Sequence, residues 1–157
     1  MATEIERKFL VIGNGYKKNA KSKAYCQGYF STTLKHTVRV RTVGNKAFIT
    51  IKGKKTGISR LEFEYKIPFA DAKVMLDSLC EKPLIEKVRY VVNHKGMIWE
   101  IDEYSGENAG LVVAEIELKS RDQYIIYPPW IGKEVSDDNR YANSNLVKNP
   151  YKLWKKK

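Results

Sequence analysis

Alternation of charged and apolar residues, repeated in segment after segment, limits this chain to folds rich in β-strand. Residues 4–11 read EIERKFLV. A strand sends alternate side chains to opposite faces, so Glu4, Glu6 and Lys8 share one face and Ile5, Arg7 and Phe9 the other. The pattern recurs with Thr37, Arg39 and Arg41; with Phe48, Thr50 and Lys52; and with Arg60, Glu62, Glu64 and Lys66 against Leu61, Phe63, Tyr65 and Ile67. Lys87 and Arg89, Glu100 and Asp102, and Glu115 and Glu117 form further same-face pairs. The spacing predicts strands over 4–12, 24–32, 36–43, 46–52, 60–67, 85–93, 97–104 and 111–119. Gly44-Asn45 is a two-residue hairpin signal, and a turn is expected around His94–Gly96. Helical spacing is confined to 69–80, where Ala72, Met75, Leu76 and Leu79 recur after Pro68, and 138–147 reads as a short helix. A Gly/Asn/Lys-rich connection with room for a helical turn follows the first strand, and Pro128-Pro129-Trp130 breaks the chain. The result is one mostly antiparallel α+β domain over 1–157, ending in a basic tail at about 150–157.

The polar faces are charged rather than rich in Ser, Thr and Gln, and the charges are sorted. Glu-x-Glu occurs three times, at 4/6, 62/64 and 115/117, while Arg39/Arg41 and Lys87/Arg89 sit on other strands. A solvated face would mix signs, with each cross-strand pair worth about 0.2–1 kcal/mol. Neighbouring like charges instead need counter-charges from elsewhere. If the sheet closes with these faces inward, the interior has to be wet or filled by ions, because isolated buried charge is very costly. Oxygen-only ligands suit hard cations such as Mg²⁺ or Mn²⁺. Arginine and lysine suit phosphate. A polyphosphate carrying divalent metal satisfies both.

Net charge decides less. Of the formal +11, most is supplied by Lys17, Lys18, Lys21, Lys23, Lys152, Lys155, Lys156 and Lys157. Those segments read as solvated surface, so nucleic-acid binding is not expected from charge alone. A hydrophobic fraction of 43% argues against disorder. No apolar run approaches the roughly 20 residues of a membrane span, and no secretory signal is expected at the acidic N-terminus. Cys26 and Cys80 read as free thiols of a cytoplasmic protein. His36 and His94 lack metal-ligand spacing, and no serine has an acid–histidine pattern.

Read together, these blocks resemble the CYTH superfamily, the triphosphate tunnel metalloenzymes. EIERKFLV is similar to its Glu-x-Glu-x-Lys signature. The likeness continues in order through QGYF (27–30), VRVR (38–41), ITIKG (49–53), RLEFEY (60–65), EKVRY (86–90), WEIDEYSGENAGLVVAEIEL (99–118) and DNRYANSNL (138–146). The resemblance implies a closed eight-stranded antiparallel β-barrel, a tunnel with helices packed outside. It implies that Glu4, Glu6, Glu115 and Glu117, with Asp102 beside them, ligate Mg²⁺ or Mn²⁺, two ions in all. Lys8, Arg39, Arg41, Lys52, Arg60 and Arg89 would bind substrate phosphate. Lys87 and Tyr29 match a catalytic pair that positions or activates water, and Glu62 and Glu64 match acidic tunnel positions of less defined role. The implied reaction is hydrolysis of inorganic triphosphate to pyrophosphate and phosphate by a possible homodimer. The ionic residues leave open a class IV adenylyl cyclase-like enzyme, or one acting on a thiamine or nucleoside triphosphate. A non-catalytic polyphosphate- or RNA-binding module is the rival from another class, resting on Tyr151 and Trp154 among the tail lysines. Arg140 and Lys148 are further candidates for substrate contact.

Overall fold

The computed structural model describes residues 3–31 and 35–154. In chain order the strands are β1 (Thr3–Val11), β2 (Lys21–Tyr29), β3 (Thr37–Val43), β4 (Lys46–Lys52), β5 (Ser59–Ile67), β6 (Ile85–His94), β7 (Met97–Tyr104), β8 (Val112–Glu117) and β9 (Ile131–Glu134). Helix α1 (Phe69–Ser78) follows β5, and α2 (Asn143–Lys148) follows β9. All pairings are antiparallel, in the order β5-β4-β3-β2-β6-β7-β8-β1-β9. Closure comes from β1, whose first residues also pair with β5 through Thr3↔Leu61, Glu4↔Arg60 and Ile5↔Ser59. Eight strands therefore form a closed barrel, with β9 added along the far end of β1. Closure at this strand number leaves an interior that side chains can fill or that holds one small ligand.

The turns carry the residues their geometry needs. Gly44 takes φ +58° between β3 and β4, and Lys95 (+51°) and Gly96 (+88°) both turn left-handed between β6 and β7. Most element ends move by one or two residues, and the larger differences are at β2 and at the second helix, expected over 138–147 and found at Asn143–Lys148. β2 begins at Lys21, because Lys21 and Lys23 register with Val91 and Arg89 of β6, and it ends at Tyr29. Thr32, the expected end, lies outside the described residues. β9 is a ninth strand that the pattern did not predict.

Outward-facing residues form two of the three cores. Phe9, Trp99, Ile101, Ala114 and Ile116 pack under Tyr16, Ile125 and Trp130, which come from the connections before β2 and β9. Phe9–Trp99 and Trp99–Trp130 meet edge-to-face at 5.7 and 6.0 Å, a favoured aromatic geometry. On the other side Ala72 and Leu76 of α1 cover Val40, Ala47 and Cys80. A third cluster joins Tyr29, Ile85, Tyr104, Leu111 and Val113 to Leu146 and Val147 of α2. Tyr29, Ile85, Tyr104 and Val113 have the same strand parity as the charged rows, so the inward faces turn apolar where α2 docks.

Candidate active site

Inside the barrel the alternation of each strand resolves into a charged lining. Seven carboxylates (Glu4, Glu6, Glu62, Glu64, Glu100, Glu115, Glu117) and seven cations (Lys8, Arg39, Arg41, Lys52, Arg60, Lys87, Arg89) surround a cavity of about 190 Å³, with Tyr29 and Asn143. Every site residue expected from the sequence except Asp102, Arg140 and Lys148 lines this space. β8, with Glu115 and Glu117, is four strands from β3, with Arg39 and Arg41, in either direction, while β1 and β5 between them carry both signs. Acidic and cationic walls thus face each other across open volume.

The acidic wall is electrostatically strained. In register Glu6 sits opposite Glu117, and Glu115 sits between Lys8 and Glu100. Like charges directly opposite on neighbouring strands repel. Burial raises the Glu115 carboxyl above its usual range and Glu6 adds to this, with Lys8 only partly offsetting it. Burial also raises Glu117, helped by Glu62 and Glu100. Lys8 reaches Glu115 and Glu6 at 3.9 and 4.0 Å, beyond hydrogen-bond distance. Glu4 is raised by burial despite Lys52, which it accepts at 3.1 and 3.2 Å.

The cationic wall is held by its own anchors. Thr50, fully buried, donates to Glu64 at 2.8 Å and accepts from Arg39 at 3.1 Å. Arg41 reaches the same Glu64 oxygen at 3.2 Å. Tyr25 lies between two guanidiniums, with Arg41 and Arg89 centred 5.0 and 4.9 Å from its ring. Burial lowers the Arg41 pKa, and the neighbouring Arg39 and Arg89 lower it further. The Nε atoms of Arg39, Arg41 and Arg60 are buried without a hydrogen-bond partner. Such donors call for an anion.

Asp102 stands behind the lining, 1% exposed. It accepts from Arg89 at 2.7 and 2.9 Å and from Lys87 at 2.8 Å. Burial alone would raise its pKa, but Arg89 and Lys87 hold it far below the ordinary carboxylate range. Lys87 is wholly buried, and its pKa is pushed down to about 8 by burial despite Asp102. Its ammonium also approaches Asn143 Oδ1 at 3.5 Å, which accepts from Tyr104 at 2.8 Å. Tyr29 accepts from the fully buried Gln27 at 3.1 Å.

Sequence reasoning did not pick out Tyr25, Thr50, Glu100 or Asn143. Tyr25 and Thr50 do share strand parity with Tyr29 and Lys52, and Glu100 with Asp102, so a signal existed for those three. Asn143 lies within the DNRYANSNL block (138–146), which marked the segment but not this side chain. Arg140 and Lys148 are outside the tunnel lining. Arg140 pairs with Asp138 and lies 4.8 Å from the Trp154 ring. Trp154 packs edge-on against Tyr141 and Tyr151, so these tail aromatics are docked on the domain. Lys155, Lys156 and Lys157 lie outside the described residues.

The family model described as the CYTH domain matches residues 2–147. The chain belongs to the CYTH family. An inorganic triphosphatase of Acetivibrio thermocellus is 54% identical over 155 residues, covering 99% of each chain. Another, from Nitrosomonas europaea, is 37% identical over 151 residues, covering 92% of this chain and 97% of its own. The crystal structure of an inorganic triphosphatase superposes with a TM-score of 0.69 at 34% identity, over 94% of this chain and 95% of that one. A conserved hypothetical protein from Pyrococcus furiosus shares the fold at 23% identity and a TM-score of 0.57, over 76% and 80% of the two chains. Among the CYTH barrel's described residues, no helix is long and apolar enough to cross a membrane.

Proposed function

We propose that this protein hydrolyses inorganic triphosphate to pyrophosphate and orthophosphate. One observation carries the reading: walls of opposite sign enclose an open cavity with seven carboxylates and seven cations on its lining. That balance suits a ligand carrying both signs, and a triphosphate bearing divalent metal is such a ligand. The names of two relatives at 54% and 37% identity support the same substrate. The lining is dominated by charged side chains, with Tyr29 its one aromatic ring. That favours the inorganic substrate over nucleoside or thiamine triphosphate.

The acidic wall fits a hard cation on two grounds. Its donors are all carboxylate oxygens, and Glu6 and Glu117 face each other in register with Lys8 no closer than 4.0 Å to Glu6. No three acidic, His or Cys groups among the described residues are already gathered as a ligand set, since Glu4 and Glu62 are drawn to Lys52. Glu6, Glu115 and Glu117, with Glu4 released from Lys52, would hold Mg²⁺ or Mn²⁺. Bound there, the ions would neutralise charge on phosphate oxygens and acidify the attacking water. Asp102, with both oxygens engaged, is the anchor of Lys87 and Arg89 in this reading, one step behind the metal ligands.

The chain's own residues then do the rest. Arg39, Arg41, Arg60 and Arg89 offer forked donors to the phosphate oxygens, and Lys8 and Lys52 add point charges. They hold the substrate extended and stabilise charge on the leaving pyrophosphate. Lys87 and Tyr29, at the α2 end, position the attacking water and the terminal phosphoryl group. Water adds to the terminal phosphorus, the bridging P–O bond breaks, and pyrophosphate leaves with its electron pair. Glu62 and Glu64 keep Lys52, Arg39 and Arg41 aimed inward. The two free cysteines fit a cytoplasmic setting.

A substrate panel tests this. Tripolyphosphate, ATP, thiamine triphosphate and pyrophosphate are incubated with each metal, and orthophosphate and cyclic AMP are measured. Tripolyphosphate should give the highest kcat/KM. Cyclic AMP from ATP, or faster hydrolysis of an organic triphosphate, would overturn the assignment.

A further inference from the structure

The tunnel opens into a second cavity of about 200 Å³ that shares Glu4, Glu6, Lys8 and Arg60 with it and adds Lys55 and Ser136. Lys55 comes from the β4–β5 connection and Ser136 from the segment after β9, so this mouth lies on the seam where β1 passes from β5 to β9. Two of its three carboxylates are engaged, and the third, Glu6, stays 4.0 Å from Lys8. Glu4 accepts from Lys52, and Asp138 is held by Arg140 at 2.6 Å. Its cations are not matched: Lys55 donates to the Ser136 backbone carbonyl at 2.9 Å, and among the described residues neither Lys55 nor Arg60 has a recorded carboxylate partner. Arg60 keeps a buried Nε with nothing to bond, and Lys8 stays at 3.9–4.0 Å from its acids. Burial, then repulsion from Lys8, lowers the Lys55 pKa, and attraction to Glu6 and Asp137 only partly offsets this.

We propose that Lys55, with Arg60 and Lys8, forms an anion subsite at this mouth that receives a phosphate group. Three convergent cations at one opening, with unused N–H donors, match a tetrahedral dianion that accepts several charge-assisted hydrogen bonds. The group is either the end of the polyphosphate lying in the tunnel or orthophosphate passing through the mouth after cleavage. The choice of phosphate rests on the function proposed above; the cation excess does not.

The test uses the full chain and the Lys55→Gln and Lys55→Arg variants. Gln retains an N–H for the Ser136 carbonyl but removes the charge. Binding of inorganic phosphate is measured by calorimetry without metal or turnover, after circular dichroism shows each variant folded. Losing one charge-assisted contact should raise Kd for phosphate about tenfold in Lys55→Gln, whereas Lys55→Arg should bind within about twofold of the parent. Steady-state kinetics on tripolyphosphate separate the sources. A higher KM with unchanged orthophosphate inhibition in Lys55→Gln marks the substrate's terminal phosphate, and weakened orthophosphate inhibition with unchanged KM marks free product. Phosphate binding as tight in Lys55→Gln as in the parent, or equally weakened in both variants, overturns the proposal. A parent that binds phosphate through Lys55 without cleaving tripolyphosphate would keep this subsite and remove the proposed reaction.

Discussion

Replacing Asp102 by Asn should damage the fold as well as the chemistry, and the size of the loss follows from its contacts. The carboxylate accepts three short hydrogen bonds from two cations at 1% exposure. Asparagine is nearly isosteric but neutral, and it turns an NH₂ toward one of those donors. Removing one partner of a buried ion pair typically costs about 3–5 kcal/mol, because the other charge is left uncompensated. Two features favour the lower end. Arg89 keeps Glu100 at 3.3 Å, and Lys87 can shed its proton because its pKa already sits at about 8. For a chain of this length each kcal/mol is worth roughly 2–4 °C, so Asp102→Asn should lower Tm by about 6–20 °C. Thermal unfolding followed by circular dichroism, in EDTA at pH 7, reads this directly. A melting curve within 1 °C of the parent would refute the anchoring role and return Asp102 to the metal ligands.

Glu115→Gln should do the opposite to stability. The carboxyl is buried beside Glu6 and raised in pKa, so removing its charge should leave Tm in EDTA unchanged or higher while tripolyphosphate turnover falls by at least about 100-fold; a clear drop in Tm would show that it is a structural partner of Lys8. Lys87 should give the protein a pH-dependent stability. With a native pKa of about 8 against an ordinary 10.5, the unfolded chain holds more protons between those values, so this site's contribution rises with pH from about 8 to 10. Denaturant titrations at pH 7.5 and 9.5 should show that gain in the parent and its loss in Lys87→Met, and equal slopes in both would contradict it. Asn143→Ala removes the acceptor shared by Lys87 and Tyr104, so kcat should fall about tenfold with KM nearly unchanged, and a change confined to KM would argue against a positioning role.

The barrel was readable because its strands obey a period of two and its turns carry Gly44 and Gly96 where left-handed backbone is needed. The same parity puts nearly every charged lining residue on the inward face. Depth was not readable. Asp102 shares parity with Glu100, yet Glu100 lines the cavity and Asp102 is consumed by Lys87 and Arg89. That outcome depends on the β6–β7 register placing Arg89 opposite Asp102. The Lys21 start of β2 was hidden because Lys21 and Lys23 supply no apolar alternation, and the β6 ladder decides it. β9 has four residues, too few for a period, and exists because β1 offers it an edge. Asn143 lies in the DNRYANSNL block, but its entry into the site depends on the docking of α2, a tertiary event.

The shared interior of these walls is tested most directly by following tripolyphosphate with ³¹P NMR as the purified protein acts on it with Mg²⁺ or Mn²⁺, and again with EDTA. Orthophosphate and pyrophosphate signals should grow in equal amounts, only when the divalent ion is present. Intact tripolyphosphate under both metals, or the same products at the same rate in EDTA, would mean that the facing charges only neutralise one another.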